Sequence, residues 1–294
     1  MIGASKILIV TGDDFGASPA INAAIIRAHS QGILTSASLL VNGDAFDEAV
    51  ELARAHPTLG VGIHISLIRG KSILPSKDLP RVVDRSGSFS QNPIIAGLRY
   101  FFDSRTKVQL QKEVEAQIRK FLATGLTPSH IDGHLHLHVH PAVLKVLLPL
   151  VQKYAIPAFR LPKESLGVNL RLDRRNLFSK SVHALIYHLL STHAEKKVRA
   201  AGLAFPDAFF GLLASGHMNE SYFTGLIARM RPGVTEVGMH PALFPPPELS
   251  KWAPRYEYPE ELKALLSPKV REGIQKKGIE LASYKTWLAR PSPS

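Results

Sequence analysis

A chain of 294 residues with 45% hydrophobic side chains can bury a sizeable core, which excludes an intrinsically disordered protein. It contains no cysteine, so disulfides, thiolate metal sites and cysteine nucleophiles are excluded, and any metal must sit on histidines and carboxylates. The net charge of +12 suits an anionic partner, but aromatics are only 7% and no run interleaves Lys/Arg with Phe/Tyr, so nucleic acid is not expected.

Short apolar runs alternate along the chain with stretches of helical period. The opening MIGASKILIV enters an apolar run of about five residues, too short for a signal-peptide core or a membrane span. A cytoplasmic protein, at most peripheral to the inner membrane, is the expectation. Residues 7–11 read as a buried strand, 19–30 as a helix, 35–40 as a strand, 45–55 as a helix and 60–66 as a strand. From 69 to 107 the pattern gives way to Gly, Pro, Ser and charge, long for a plain connection, and predicts a lid or binding loop. Alternation then resumes: helix 107–122, strand 129–134, helix 142–154, short strand 158–161, a long basic helix over 173–200, and a helix near 219–230. Strand 235–239, helix 259–276 and strand 279–282 close the series. This order predicts an α/β fold, a (β/α) barrel-like parallel sheet surrounded by helices, as one domain over 1–294 with its site at the carboxyl ends of the strands.

Four places carry chemistry. The first strand runs into TGDDFG, where Asp13 and Asp14 are adjacent and point in different directions. One can hold a metal while the other faces substrate or water; the competing reading is a turn whose Asp residues cap the next helix. His64 lies near the end of the third strand, at the same mouth. In HIDGHLHLHVH every even residue from His130 to His140 except Asp132 is histidine, so in extended form these side chains share one face. A divalent metal accounts for such density better than a surface histidine tract, with a carboxylate or carbonyl to orient the imidazoles, but His134, His136 and His138 are equal candidates on the residues alone. His240, in GMHPA at the end of a late strand, is placed to give a proton to a leaving group.

TGDDFG, GIHISL, HIDGHLHLH and MHPA, in that order, resemble the YdjC-type carbohydrate deacetylases over residues 6–284. The segments LTSASLLVNG, GIHISLIRGKSILP and FFGLLASGHMNE look closer to the hopanoid-biosynthesis (HpnK) branch than to the chitooligosaccharide branch. The resemblance implies a barrel-like fold and a metal-dependent hydrolase that removes an N-acetyl group from an N-acetylglucosamine-type sugar, lipid-linked in the hopanoid branch. It implies that Asp14, His64 and His134 bind one divalent ion, magnesium or zinc before others. Asp13 would then be the catalytic base, held ionised by Arg160, and His240 the general acid, with Asp132, His136 and His138 in support.

Two other readings stand beside it: a metal-dependent hydrolase of another bond, such as a phosphoester, and a non-catalytic metal- or nucleic-acid-binding protein, which leaves the Asp pair and His240 without a role. Oligomeric state is not legible. Phe178, Val182, Leu185, Ile186, Leu189 and Leu190 form an apolar stripe at helical spacing, accompanied by Arg174, Arg175, Lys180, Lys196, Lys197 and Arg199. It reads either as the buried face of a core helix or as a face that meets an anionic membrane.

Overall fold

The apolar run Ile7–Val10 is buried on both sides, as a central parallel strand requires, and it anchors β1 (Lys6–Phe15) at the middle of the sheet. The computed structural model describes residues 5–251 and 253–290; residues 1–4 and 291–294, the ends of the 1–294 span, and residue 252 lie outside the described residues. After β1 come α1 (Pro19–Gln31), β2 (Ser36–Leu39), α2 (Phe46–Ala55), β3 (Gly60–Ile65), α3 (Pro93–Phe102), α4 (Thr106–Leu122), β4 (Ile131–Gly133) and α5 (Pro141–Lys153). There follow α6 (Leu166–Leu172), α7 (Leu177–Ala200), β5 (Ala208–Phe210), α8 (Glu220–Ile227), β6 (Gly233–Met239), α9 (Pro247–Ser250), α10 (Tyr258–Leu266), α11 (Pro268–Lys276), β7 (Ile279–Leu281) and α12 (Tyr284–Leu288).

All pairings between these strands are parallel, in the order β4-β3-β2-β1-β6-β5, with β7 beside the first residues of β1. The sheet curls. At one edge Ile131 of β4 bridges Phe159, and at the other the Phe209 N–H of β5 donates to the Lys163 carbonyl at 3.1 Å, so residues 158–163 approach both edges. The curled sheet with its surrounding helices is the α/β barrel-like fold expected from the alternation, and every strand delivers its carboxyl end to one rim.

Several elements differ from their sequence reading. β1 continues to Phe15, so Asp13 and Asp14 belong to the strand rather than to a helix-capping turn; Ser18 caps α1 instead, accepting from the Ile21 N–H. Segment 69–107 is not wholly irregular, because Asn92 accepts from the N–H groups of Ile94 and Ile95 and Pro93 opens α3. The helix read over 259–276 is two, since Ser267 caps α11 and Pro268 occupies its first turn. Residues 158–161 make isolated bridges rather than a ladder, and β5 lacks any alternating pattern. The long helix starts at Leu177, after a left-handed Asn176 (φ 55°).

On α7 the apolar stripe is not a core face: Phe178, Val182, Leu185, Ile186 and Leu189 are exposed and Leu190 is half-buried. The helix turns its small and polar side inward, through Ser191, Ala194, Val198 and a Lys180 that is buried against Asp173.

Candidate active site

The rim gathers the chemistry because of the sheet register. Ile63–Ile65 of β3 pair with Ile131–Gly133 of β4, bringing His64 beside Asp132. Gly12 of β1 pairs with Met239 of β6, so the next residue on each strand, Asp13 and His240, leaves adjacent strands at one level. Asp14 takes a left-handed backbone (φ 60°), unusual for a residue with a Cβ, which turns its carboxylate away from that of Asp13.

Asp14 Oδ1 lies 3.0 Å from His134 Nδ1 and 3.4 Å from His64 Nε2. The other ring nitrogen of His64, Nδ1, donates to Asp132 Oδ1 at 2.8 Å. A carboxylate behind an imidazole fixes its tautomer and aims the free nitrogen, here toward Asp14 and His134. Asp132 Oδ2 in turn accepts from Ser38 Oγ (2.8 Å) and lies 2.6 Å from Arg160 Nη1. Arg160, fully buried, donates to both Asp13 oxygens (2.7 and 2.9 Å) and twice to Glu236 Oε1 (3.0 and 2.8 Å). Thr11 Oγ1 and the Tyr284 hydroxyl complete Glu236 at 2.8 and 2.6 Å. His130 stacks on Tyr284 with ring centres 4.0 Å apart, over Gly62, where any Cβ would strike the imidazole at 2.3 Å.

Charge is unbalanced in this buried volume. Asp13, Asp14, Asp132 and Glu236 are all buried, and among the described residues Arg160 is the only Lys or Arg paired with any of them. Burial alone would push His64 down, but the Asp132 carboxylate overrides it and raises the imidazole to about 10. Asp14 is held well below the usual carboxylate range, burial being outweighed by His134 and His64. Asp132 is likewise lowered, against burial, by Arg160 and His64.

Among the described residues two groups bring three ligand-type atoms together: Asp14, His64 and His134, and Asp13, His64 and Asp132. In the second, Asp13 and Asp132 are engaged by Arg160, and Asp132 occupies His64 Nδ1, so the first is the open set. Its spacings of 3.0 and 3.4 Å suit a shared ion, because N and O ligands about 2.1 Å from one ion stand about 3.0–3.4 Å apart at right-angle to tetrahedral geometry. One carboxylate and two imidazoles fit zinc, manganese, cobalt or magnesium, and no cysteine is needed.

The histidine tract does not extend. β3 ends at Ile65, opposite Gly133, so beyond Gly133 the backbone has no ladder partner and turns through residues 134–139, with Leu135 (φ 51°) and His136 (φ 52°) left-handed. The histidines therefore diverge instead of sharing one face. His134 faces Asp14; His136 packs edge-on against Phe209 and Tyr187; His138 Nε2 donates to the Arg160 carbonyl at 2.9 Å; His140 lies against Phe101. Burial holds His136 well below its usual value and pushes His138 down to about 4 and His130 to about 3, so these stay neutral.

His240 sits at the rim, its N–H donating to Glu261 Oε2 at 2.6 Å and its ring 5.3 Å from that of Tyr256. Its Nδ1 has no hydrogen-bond partner among the described residues, so the protein leaves that nitrogen uncommitted. A cleft of about 240 Å³ opens beside His134, with Asn42, Asp44, Arg69, Lys71, Gln91 and Lys251 among its walls. Glu236, Tyr284, Ser38 and Glu261 were not singled out in the sequence. Glu236 left a signal, as a lone charge inside an apolar strand; Glu261, in a helix among other charges, left none.

The sequence profile of the YdjC-like protein family matches residues 7–276. A carbohydrate deacetylase of Geobacillus stearothermophilus is 32% identical over 282 residues, 95% of this chain and 97% of that protein. One from Brevibacillus brevis is 43% identical over 152 residues, 51% of this chain and 57% of that protein. A crystal structure from Enterococcus faecalis V583, 29% identical, superposes with a TM-score of 0.75 over 97% of this chain and 99% of that one.

Proposed function

The chain belongs to the YdjC-like family, and from that premise we propose that it is a metal-dependent carbohydrate deacetylase acting on an N-acetylglucosamine-type sugar. The reading is carried by the juxtaposition of an open Asp14-His64-His134 set with a second carboxylate, Asp13, on the same strand end and His240 on the next. Asp14, His64 and His134 hold one divalent ion, magnesium or zinc. When bound, that ion supplies a polarising charge for the acetyl oxygen and makes water a better nucleophile near neutral pH. Asp13 takes the proton from the attacking water, and the two-pronged Arg160 contact fixes its orientation. His240 carries a proton to the sugar nitrogen, so that acetate separates from a free amine. Asp132 holds the His64 tautomer, and His138 braces the Arg160 main chain.

The sugar is lipid-linked, as in the hopanoid branch, so the enzyme works as a peripheral protein against an anionic membrane; segment 69–107 serves as its lid. No described helix is long and apolar enough to cross a membrane. The deciding experiment loads purified protein with defined metals and measures acetate release from an N-acetylglucosaminyl lipid and from diacetylchitobiose. Release far faster from the lipid than from diacetylchitobiose is expected. Equal turnover of the soluble sugar would return the enzyme to chitooligosaccharides, and no acetate from either substrate together with phosphate release from an added sugar phosphate would sink the deacetylase reading.

A further inference from the structure

Large exposed apolar side chains are concentrated on two helices. On α3 they are Ile94, Ile95, Leu98, Phe101 and Phe102, at the spacing of a single helical stripe, with Phe102 76% exposed. On α7 they are Phe178, Val182, Leu185, Ile186 and Leu189, again one stripe, with Phe178 84% exposed. The two stripes belong to one neighbourhood. α3 and α7 both pack on α5, and both touch the turn that carries the site's His134: Phe101 meets His140, and the Tyr187 hydroxyl donates to the Leu135 carbonyl at 2.8 Å. Leu243 and Phe244, just beyond His240, add a third exposed apolar pair at the rim.

We propose that the α3 and α7 stripes form a surface that seats the protein on an anionic lipid bilayer, with the mouth of the active site turned toward the headgroups. The charge pattern selects this occupant. Residues 181–194 of α7 contain no Asp, Glu, Lys or Arg, whereas the approach to the helix, residues 171–180, carries four basic side chains and one acidic. Residues 99–107, at the end of α3, carry three basic and one acidic. Exposed Arg99, Arg105, Arg171, Arg174 and Arg175 thus border an uncharged apolar surface, the arrangement that pairs acyl-chain burial with attraction to anionic headgroups. A second copy seated there would bring two such basic borders together on chains that each carry a net +12. The inference rests on the proposed deacetylase activity for what the surface delivers, a sugar displayed at the headgroup level.

The test is cosedimentation of the metal-loaded protein with phosphatidylcholine vesicles, with and without phosphatidylglycerol, alongside light scattering in solution. Binding to the phosphatidylglycerol vesicles, weakened by salt, is expected. F178S/L185S on α7 and I94S/F102S on α3 should each weaken it by about tenfold or more. F178S/L185S, outside the 69–107 lid, leaves turnover of diacetylchitobiose unchanged, so acetate release from that variant reports separately on the deacetylase reading. No sedimentation at low salt would overturn the proposal, as would a dimer in solution that the same substitutions dissociate while vesicle binding is absent.

Discussion

Replacing Arg160 tests how the site is held together. The guanidinium is fully buried and touches three carboxylates, Asp13, Asp132 and Glu236, at 2.6–3.0 Å. Arg160→Met removes the shared guanidinium and leaves the three carboxylates buried. Losing one partner of a buried ion pair costs about 3–5 kcal/mol, a large part of the roughly 5–15 kcal/mol that a folded protein has. Arg160→Lys keeps the charge but not the planar fork, and should lose about 2–3 kcal/mol. The pH dependence carries the sign. In the native protein Arg160, and after it His64, holds Asp132 low against burial. Without Arg160, burial pushes the folded-state pKa upward, above the unfolded value of about 4. A carboxyl raised in this way is harmless below its unfolded pKa and costs stability as pH rises through the folded one. The deficit of Arg160→Met should therefore be largest near neutral pH and shrink toward about pH 4. Urea unfolding of the ion-saturated proteins, followed by circular dichroism across that range, measures it. Stability within about 1 kcal/mol of the native protein at neutral pH, or a deficit that grows on acidification, would refute the account.

Asp14→Asn and His134→Ala should each lose the divalent ion on dialysis, read by metal analysis; full occupancy in His134→Ala would move the ligand role elsewhere. Asp13→Asn and His240→Ala should keep the ion and lose about 10²–10⁴-fold in kcat each, whereas loss of metal from Asp13→Asn would place both carboxylates on the ion. His130 and His138, lowered to about 3 and about 4, are neutral when folded, but in the unfolded chain they take up protons below about pH 6.5. Their stabilisation is full above that pH and is lost on acidification, each costing about 2 kcal/mol by pH 5. His130→Gln should remove its own share, about 2 kcal/mol, of the stability lost between about pH 6.5 and pH 5; an unchanged slope of the urea midpoint against pH would rule out a buried neutral His130.

The alternation of strand and helix was legible because a central parallel strand such as β1 is apolar on both faces, and the strand-end positions of Asp13, Asp14, His64 and His240 followed from it. The bridges at residues 158–161 and the three-residue β5 were not, since their pairing depends on how the sheet curls. The tract from His130 to His140 misled in a specific way. Its alternation holds only while a neighbouring strand supplies hydrogen bonds, and β3 stops at Ile65. The α7 stripe was ambiguous because a helical period tells which residues share a face, not what that face meets.

The turn at 134–139 also has a thermodynamic consequence. One short segment holds His134 against Asp14, offers the Leu135 carbonyl to Tyr187 of α7, braces Arg160 through His138, and leads into His140 beside Phe101 of α3. Its two left-handed residues, Leu135 and His136, are strained and persist because these contacts hold them. A ligand on the outer helices and an ion on the inner residues therefore act on the same few dihedral angles. Where the two events are coupled, reciprocity is obligatory: whatever factor the ion adds to affinity at the outer surface, occupancy of that surface adds to affinity for the ion.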